Sequence, residues 1–149
     1  MEGVLSHSFL ETLELGGFCA KFLKSPRVIA LKGQMGAGKT VFAKGFISTL
    51  CGIDPVEITS PTFQYLHLYE NDKVPIAHFD FWRLKNCVDF DTLGLWEYFD
   101  KGFCLIEWPE IVFDYLPQDT LFVQFTTRDK VRHIHFSDNL IEKAYYESK

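Results

Sequence analysis

The sequence predicts an α/β fold, a P-loop NTPase-like three-layer sandwich with a central mixed, mainly parallel sheet. Three observations lead there. The apolar run Val28–Leu31 is followed, after Lys32, by Gly33-Gln34-Met35-Gly36-Ala37-Gly38-Lys39-Thr40 and then by a helical stretch. Further short apolar runs alternate with polar connectors along the chain. The 149 residues are 47% hydrophobic and 23% charged, which suits a single folded domain over 1–149 with a substantial core.

Ser8 and Glu11 have capping-box spacing, and Leu13, Ala20 and Leu23 continue a helical pattern. They predict a helix over Phe9–Leu23, weakened by Gly16 and Gly17 and closed by Pro26. Val28–Leu31 reads as a buried strand. The helix after the glycine loop begins near Lys39, runs towards Leu50 and ends at Gly52. Glu57–Phe63 is a polar connector broken by Pro61, Phe63–Tyr69 a strand, and Asn71–Lys73 a turn. Ile76–Phe81 is a strand with Asp80 near its end, and Asp91–Phe99 a helix. Phe103–Ile106 is the most apolar later strand, terminated by Glu107, Trp108 and Pro109. Leu121–Thr126 and Val131–Phe136 form a hairpin joined by Thr127–Lys130, and a tail helix covers Asn139–Tyr146. In such a fold the ligand sits at the carboxyl end of the first core strand.

The formal charge of -5 argues against nucleic-acid binding by the whole surface. Cys19, Cys51, Cys87 and Cys104 form no CxxC pair and read as buried free thiols. Met1–Leu10 lacks a basic region followed by a long apolar run, and no segment reaches membrane-spanning length, so the cytoplasm is the expected compartment. His133 and His135 share one strand face, expected to meet solvent, and are too few to hold a metal. Arg83 and Lys85 read as a solvated edge.

The chemistry concentrates in the glycine loop. Its small residues let backbone N–H groups curl around phosphate oxygens, and the helix start adds its dipole. The expected nucleotide contacts are Gly33, Met35, Gly36, Ala37, Gly38, Lys39, Thr40 and Val41, with ATP and Mg2+ as ligands. Lys39 can reach the β- and γ-phosphates, and the Thr40 hydroxyl can ligate magnesium. Such a loop needs an acid near the metal. Asp80 and Glu107 each end an apolar strand, and either can serve as the Walker B-like acid. Ser60-Pro61-Thr62 is placed to respond to a γ-phosphate. Trp108 can contact nucleotide or a partner. No internal arginine finger is evident in the sequence.

Four segments together resemble the TsaE family of bacterial P-loop ATPases: Gly33–Thr40, the SPTF segment Ile58–Phe63, the strand end His78-Phe79-Asp80-Phe81-Trp82-Arg83, and Ile106-Glu107-Trp108-Pro109-Glu110. Gln34-Met35 and Trp82 depart from the usual pattern, without removing a phosphate or magnesium ligand. The resemblance implies that Lys39 binds phosphate, that Thr40 and Glu107 hold magnesium, that Asp80 belongs to the catalytic centre and Thr62 to a switch, and that Trp108 has a functional role. It also implies action with a TsaB–TsaD-like pair that modifies adenosine 37 of tRNA, the ATPase supporting turnover and not transferring the threonylcarbamoyl group itself. Association with tRNA would then be indirect. Two other readings use the same loop. A small-molecule kinase needs an arginine-rich lid, for which there is no clear signal. A nucleotide-dependent binding module needs no hydrolysis.

Overall fold

The Ser8 hydroxyl accepts from the Glu11 N–H at 3.0 Å, and the Glu11 carboxylate accepts from the His7 N–H at 2.7 Å. This reciprocal capping starts α1 (Phe9–Phe22). The computed structural model of the chain describes residues 3–72 and 74–149. Lys73 of the expected Asn71–Lys73 turn lies outside them. Ahead of α1 runs β1 (Val4–Ser6), too short for a periodic signal and defined by its pairing. Then follow β2 (Val28–Gly33), α2 (Lys39–Cys51), β3 (Leu66–Tyr69), β4 (Ile76–Asp80), α3 (Cys87–Thr92), β5 (Phe103–Glu107), β6 (Leu121–Arg128), β7 (Val131–Phe136) and α4 (Asn139–Glu147).

The strands form one seven-stranded sheet in the order β1-β7-β6-β2-β5-β4-β3. The inner strands β6, β2, β5 and β4 pair in parallel, while β7, β1 and β3 add on antiparallel. Side-chain alternation divides the core between the two faces. On one face Ile29, Leu31, Leu105 and Val123 pack with Leu15, Phe42, Phe46 and Ile141 of α1, α2 and α4. On the other, Val28, Phe79, Cys104 and Ile106 pack with Phe90, Leu95, Phe99 and Val112. Helices therefore cover both faces, the three-layer arrangement expected of this sequence.

Local chemistry explains the departures from expectation. β3 starts at Leu66 because the Pro61 carbonyl accepts from the N–H groups of Gln64 and Tyr65, at 3.1 and 2.7 Å. Tyr65 is left-handed at φ 66, so Phe63 belongs to the turn and not to the strand. The expected helix Asp91–Phe99 is two pieces. α3 ends at Thr92, Gly94 takes φ 69, and a 3-10 segment follows over Leu95–Asp100. Pro109 does more than end β5: it opens another 3-10 segment, Pro109–Tyr115. The last hairpin is tighter than expected, because Asp129 and Lys130 both take positive φ and let β6 extend to Arg128.

Gly16 does not merely weaken α1. A methyl built on Gly16 would lie 2.1 Å from the Phe42 carbonyl oxygen, and one on Gly45 only 2.0 Å from the Leu13 carbonyl oxygen. The two glycines let α1 and α2 cross backbone to backbone, which seats α2 against the sheet. All four cysteines are free, but only Cys19 and Cys104 are buried; Cys51 is half-buried and Cys87 exposed. Burial pushes the Cys19 and Cys104 thiols up to about 12, so they stay protonated core groups. Among the described residues no helix is long and apolar enough to cross a membrane.

Candidate functional site

α2 begins without any side-chain cap. Gly38 occupies the cap position at φ 111, a conformation other residues rarely adopt, and contributes no side-chain acceptor. The N–H groups of the first turn are thereby left for an outside anion. Upstream, the Ala37 N–H donates to the Gln34 carbonyl at 3.1 Å and closes the loop.

A cleft of about 380 Å³ opens over this loop. Met35, Gly36, Gly38, Lys39, Thr40, Val41, Thr62, Asp80, Glu107 and Trp108, all expected from the sequence, line it. Gly33 and Ala37 lie beneath: Gly33 offers its carbonyl to Lys39, and Ala37 is buried.

The two acids are neighbours, since Asp80 and Glu107 are register partners at the ends of β4 and β5. Their hydrogen bonds separate their roles. The Thr40 hydroxyl donates to Glu107 Oε1 at 2.6 Å. Asp80 Oδ2 accepts from Ser60 and Thr62 at 2.8 and 2.9 Å, and Asp80 Oδ1 accepts from the Trp82 N–H at 2.9 Å. Glu107 thus faces the helix start, while Asp80 anchors the Ser60-Pro61-Thr62 segment.

Lys39 is buried, with its ammonium donating to the Gly33 carbonyl at 2.5 Å and lying 3.3 Å from the centre of the Trp108 ring. Burial lowers its pKa, opposed by the charges of Glu107, Glu110 and Asp80. Trp108 reaches this place through a left-handed backbone, φ 57 and ψ 59, costly for a bulky residue. Its ring also meets Trp82, with centroids 4.6 Å apart.

Sequence reasoning missed several residues of the site. His78 is fully buried, and its Nε2 lies 2.6 Å from Glu107 Oε2. It steadies the carboxylate whose other oxygen meets Thr40. A signal existed: His78 stands two residues before Asp80, on the same strand face. Trp82, Arg83 and Arg132 also line the cleft, as does Ser60 of the Ser60-Pro61-Thr62 segment already singled out in the sequence. Arg83 is not simply a solvated edge, because its guanidinium stacks 4.1 Å over the exposed Phe63 ring. His133 and His135 are half-buried, and His133 contacts Arg128 at 3.4 Å. No metal-binding group of three or more His, Cys, Asp or Glu occurs among the described residues.

Strand order, uncapped loop and strand-end acids together define a P-loop α/β protein. The profile of the family described as threonylcarbamoyl adenosine biosynthesis protein TsaE matches residues 6–134, and the chain belongs to that family. The tRNA threonylcarbamoyladenosine biosynthesis protein TsaE of Bacillus subtilis is 39% identical over 112 residues, covering 74% of this chain and 68% of the relative. That of Treponema pallidum is 38% identical over 120 residues, covering 80% of this chain and 87% of the relative. The crystal structure of Bacillus subtilis YdiB superimposes with a TM-score of 0.74 at 32% identity, covering 97% of this chain and 90% of the other.

Proposed function

We propose that this protein is a magnesium-dependent cytoplasmic ATPase that supports threonylcarbamoyl modification of adenosine 37 of tRNA, acting through a TsaB–TsaD-like pair. Family membership supports the pathway. The observation that carries the chemistry is the 2.6 Å contact between Thr40 and Glu107 beside an uncapped helix start. A hydroxyl and a carboxylate are hard oxygen donors of the kind magnesium takes, alongside waters and phosphate oxygens. Magnesium held by Thr40 and Glu107 would supply charge neutralisation on the phosphates. Lys39 binds phosphate oxygens, and loop N–H groups orient them. Asp80 positions the attacking water, and Thr62, bonded to it, couples that position to the switch segment.

These roles separate the two acids in a magnesium titration of nucleotide binding. Glu107→Gln is expected to raise the half-saturating magnesium concentration roughly tenfold, having lost one charged oxygen ligand. Asp80→Asn should leave that midpoint within about twofold, an estimate for a group outside the metal's ligands, and slow turnover instead. An unchanged midpoint in Glu107→Gln removes Glu107 from the metal site.

The test of the whole reading is steady-state phosphate release at saturating ATP, with and without the purified TsaB–TsaD-like pair and tRNA. Slow release alone and marked stimulation by the pair are expected. Tight ATP binding with no stimulation would instead make the protein a nucleotide-dependent binding module. In the same assay Thr62→Ala should keep most nucleotide binding, since the loop still holds the phosphates. It should lose roughly tenfold or more of the stimulated rate, about the worth of one hydroxyl contact made in the transition state. Full stimulation of Thr62→Ala rejects the switch.

A further inference from the structure

We propose that Arg132 is a nucleotide-binding residue that grips the α- and β-phosphates from the flank of the loop opposite the acids; this rests on the nucleotide reading above. β7 runs antiparallel to β6, so its first residues lie at the sheet edge where β2, β5 and β6 end, and Arg132 pairs there with Thr127. Alternation along β7 places Arg132 on the same face as Ile134 and Phe136, the face that carries α2. Phe136 meets Phe42 of α2, with ring centroids 6.1 Å apart. The strand thus aims an arginine at the helix start.

The contact is close. A methyl built on Gly38 would lie 3.0 Å from Arg132 Nε and 3.1 Å from its Cδ, and Arg132 lines the phosphate cleft. Arg132 Nε is buried and has no hydrogen-bond partner, and among the described residues no carboxylate pairs with Arg132. The other three arginines are engaged: Arg27 donates to the Asp119 carbonyl at 2.9 Å, Arg83 stacks on Phe63, and Arg128 meets His133. Burying a guanidinium nitrogen without an acceptor is costly, and a phosphate oxygen offsets that cost with a charge-assisted bond.

Position decides which phosphates. In the strand order, β6 and β7 lie on one side of β2, while β5 and β4 with Glu107 and Asp80 lie on the other. The γ-phosphate belongs with the acids and the metal, so Arg132 meets the phosphates that ADP and ATP share. It is therefore a binding residue and not a finger on the transferring group.

Calorimetric titration of the full chain with Mg·ADP and Mg·ATP tests this. Arg132→Ala is expected to weaken both nucleotides by a similar factor, roughly tenfold or more, and to flatten the salt dependence of ADP affinity. Arg132→Lys should recover part of the loss, because it keeps the charge without the planar fork. Should the alanine variant not give a wild-type circular-dichroism spectrum, the lysine variant and Arg132→Gln carry the comparison. Undiminished affinity for both nucleotides overturns the proposal. So does weakening of ATP with ADP unchanged, which moves the arginine to the γ-phosphate, or weakening with an unaltered salt slope, which reduces it to packing. Failure of the wild type to bind either nucleotide defeats the nucleotide reading itself, a distinct outcome.

Discussion

Lys39→Ala is expected to lower partner-stimulated ATP turnover on the order of a hundredfold or more, the scale for removing a charged group that stabilises a transferring phosphoryl. Its ammonium now rests between the Gly33 carbonyl and the Trp108 ring, with Glu107 and Asp80 contributing charge from across the cleft. Burial holds its pKa below the ordinary lysine value of 10.5. For a base, a folded value below the unfolded one means that the charged form is disfavoured by folding. That cost is full below the folded value and eases as pH rises from there towards 10.5. A polyphosphate reverses the sign by supplying the missing negative charge. Alanine should therefore leave the free protein as stable as before or slightly more so, while turnover collapses. Phosphate-release kinetics, run beside thermal melts without nucleotide, check both halves. Wild-type turnover in a folded Lys39→Ala protein would sink the assignment.

The second large effect is structural. Gly45→Val is expected to cost about 3 kcal/mol or more, the upper range for overpacking, and to lower the melting temperature by roughly 10 °C. Helix propensity alone gives the opposite sign for glycine replacement by alanine, a gain of about 1 kcal/mol. The neighbour decides. A β-carbon on Gly45 meets backbone, the Leu13 carbonyl oxygen at 2.0 Å, and backbone cannot rotate away. Gly17 is the control: a β-carbon there meets the Thr49 hydroxyl at 2.6 Å, a side-chain atom that can turn aside. Thermal melts should show Gly45→Ala clearly destabilised and Gly17→Ala near neutral. Equal melting temperatures for these two would refute the helix-crossing account.

Much of the chain was readable in advance where the physics is local. The capping pair Ser8 and Glu11, the glycine at the end of α2 and the strand-loop-helix run from Val28 are each set by residues a few positions apart. The positive φ at Gly94 is equally local and overrides the Asp91–Phe99 pattern: a left-handed residue breaks a helix whatever its flanks favour. β1 carried no signal, because three residues become a strand only when β7 supplies their partners.

Val28 to Thr40 specifies a phosphate loop unaided, since a ring of N–H groups needs only small residues and a helix behind them. Family resemblance added candidate roles for Asp80 and Glu107, yet both end apolar strands and nothing along the chain ranks their geometry. That ranking depends on register: β4 beside β5 puts the acids together, α2 brings the Thr40 hydroxyl to Glu107, and the Pro61 turn brings Ser60 and Thr62 to Asp80. The reach of Arg132 to Gly38 likewise needs β7 beside β6 and β6 beside β2. Contacts of this kind join residues from 18 positions apart, Thr62 to Asp80, to nearly a hundred, and strand order, which no short-range pattern encodes, settles which of them meet.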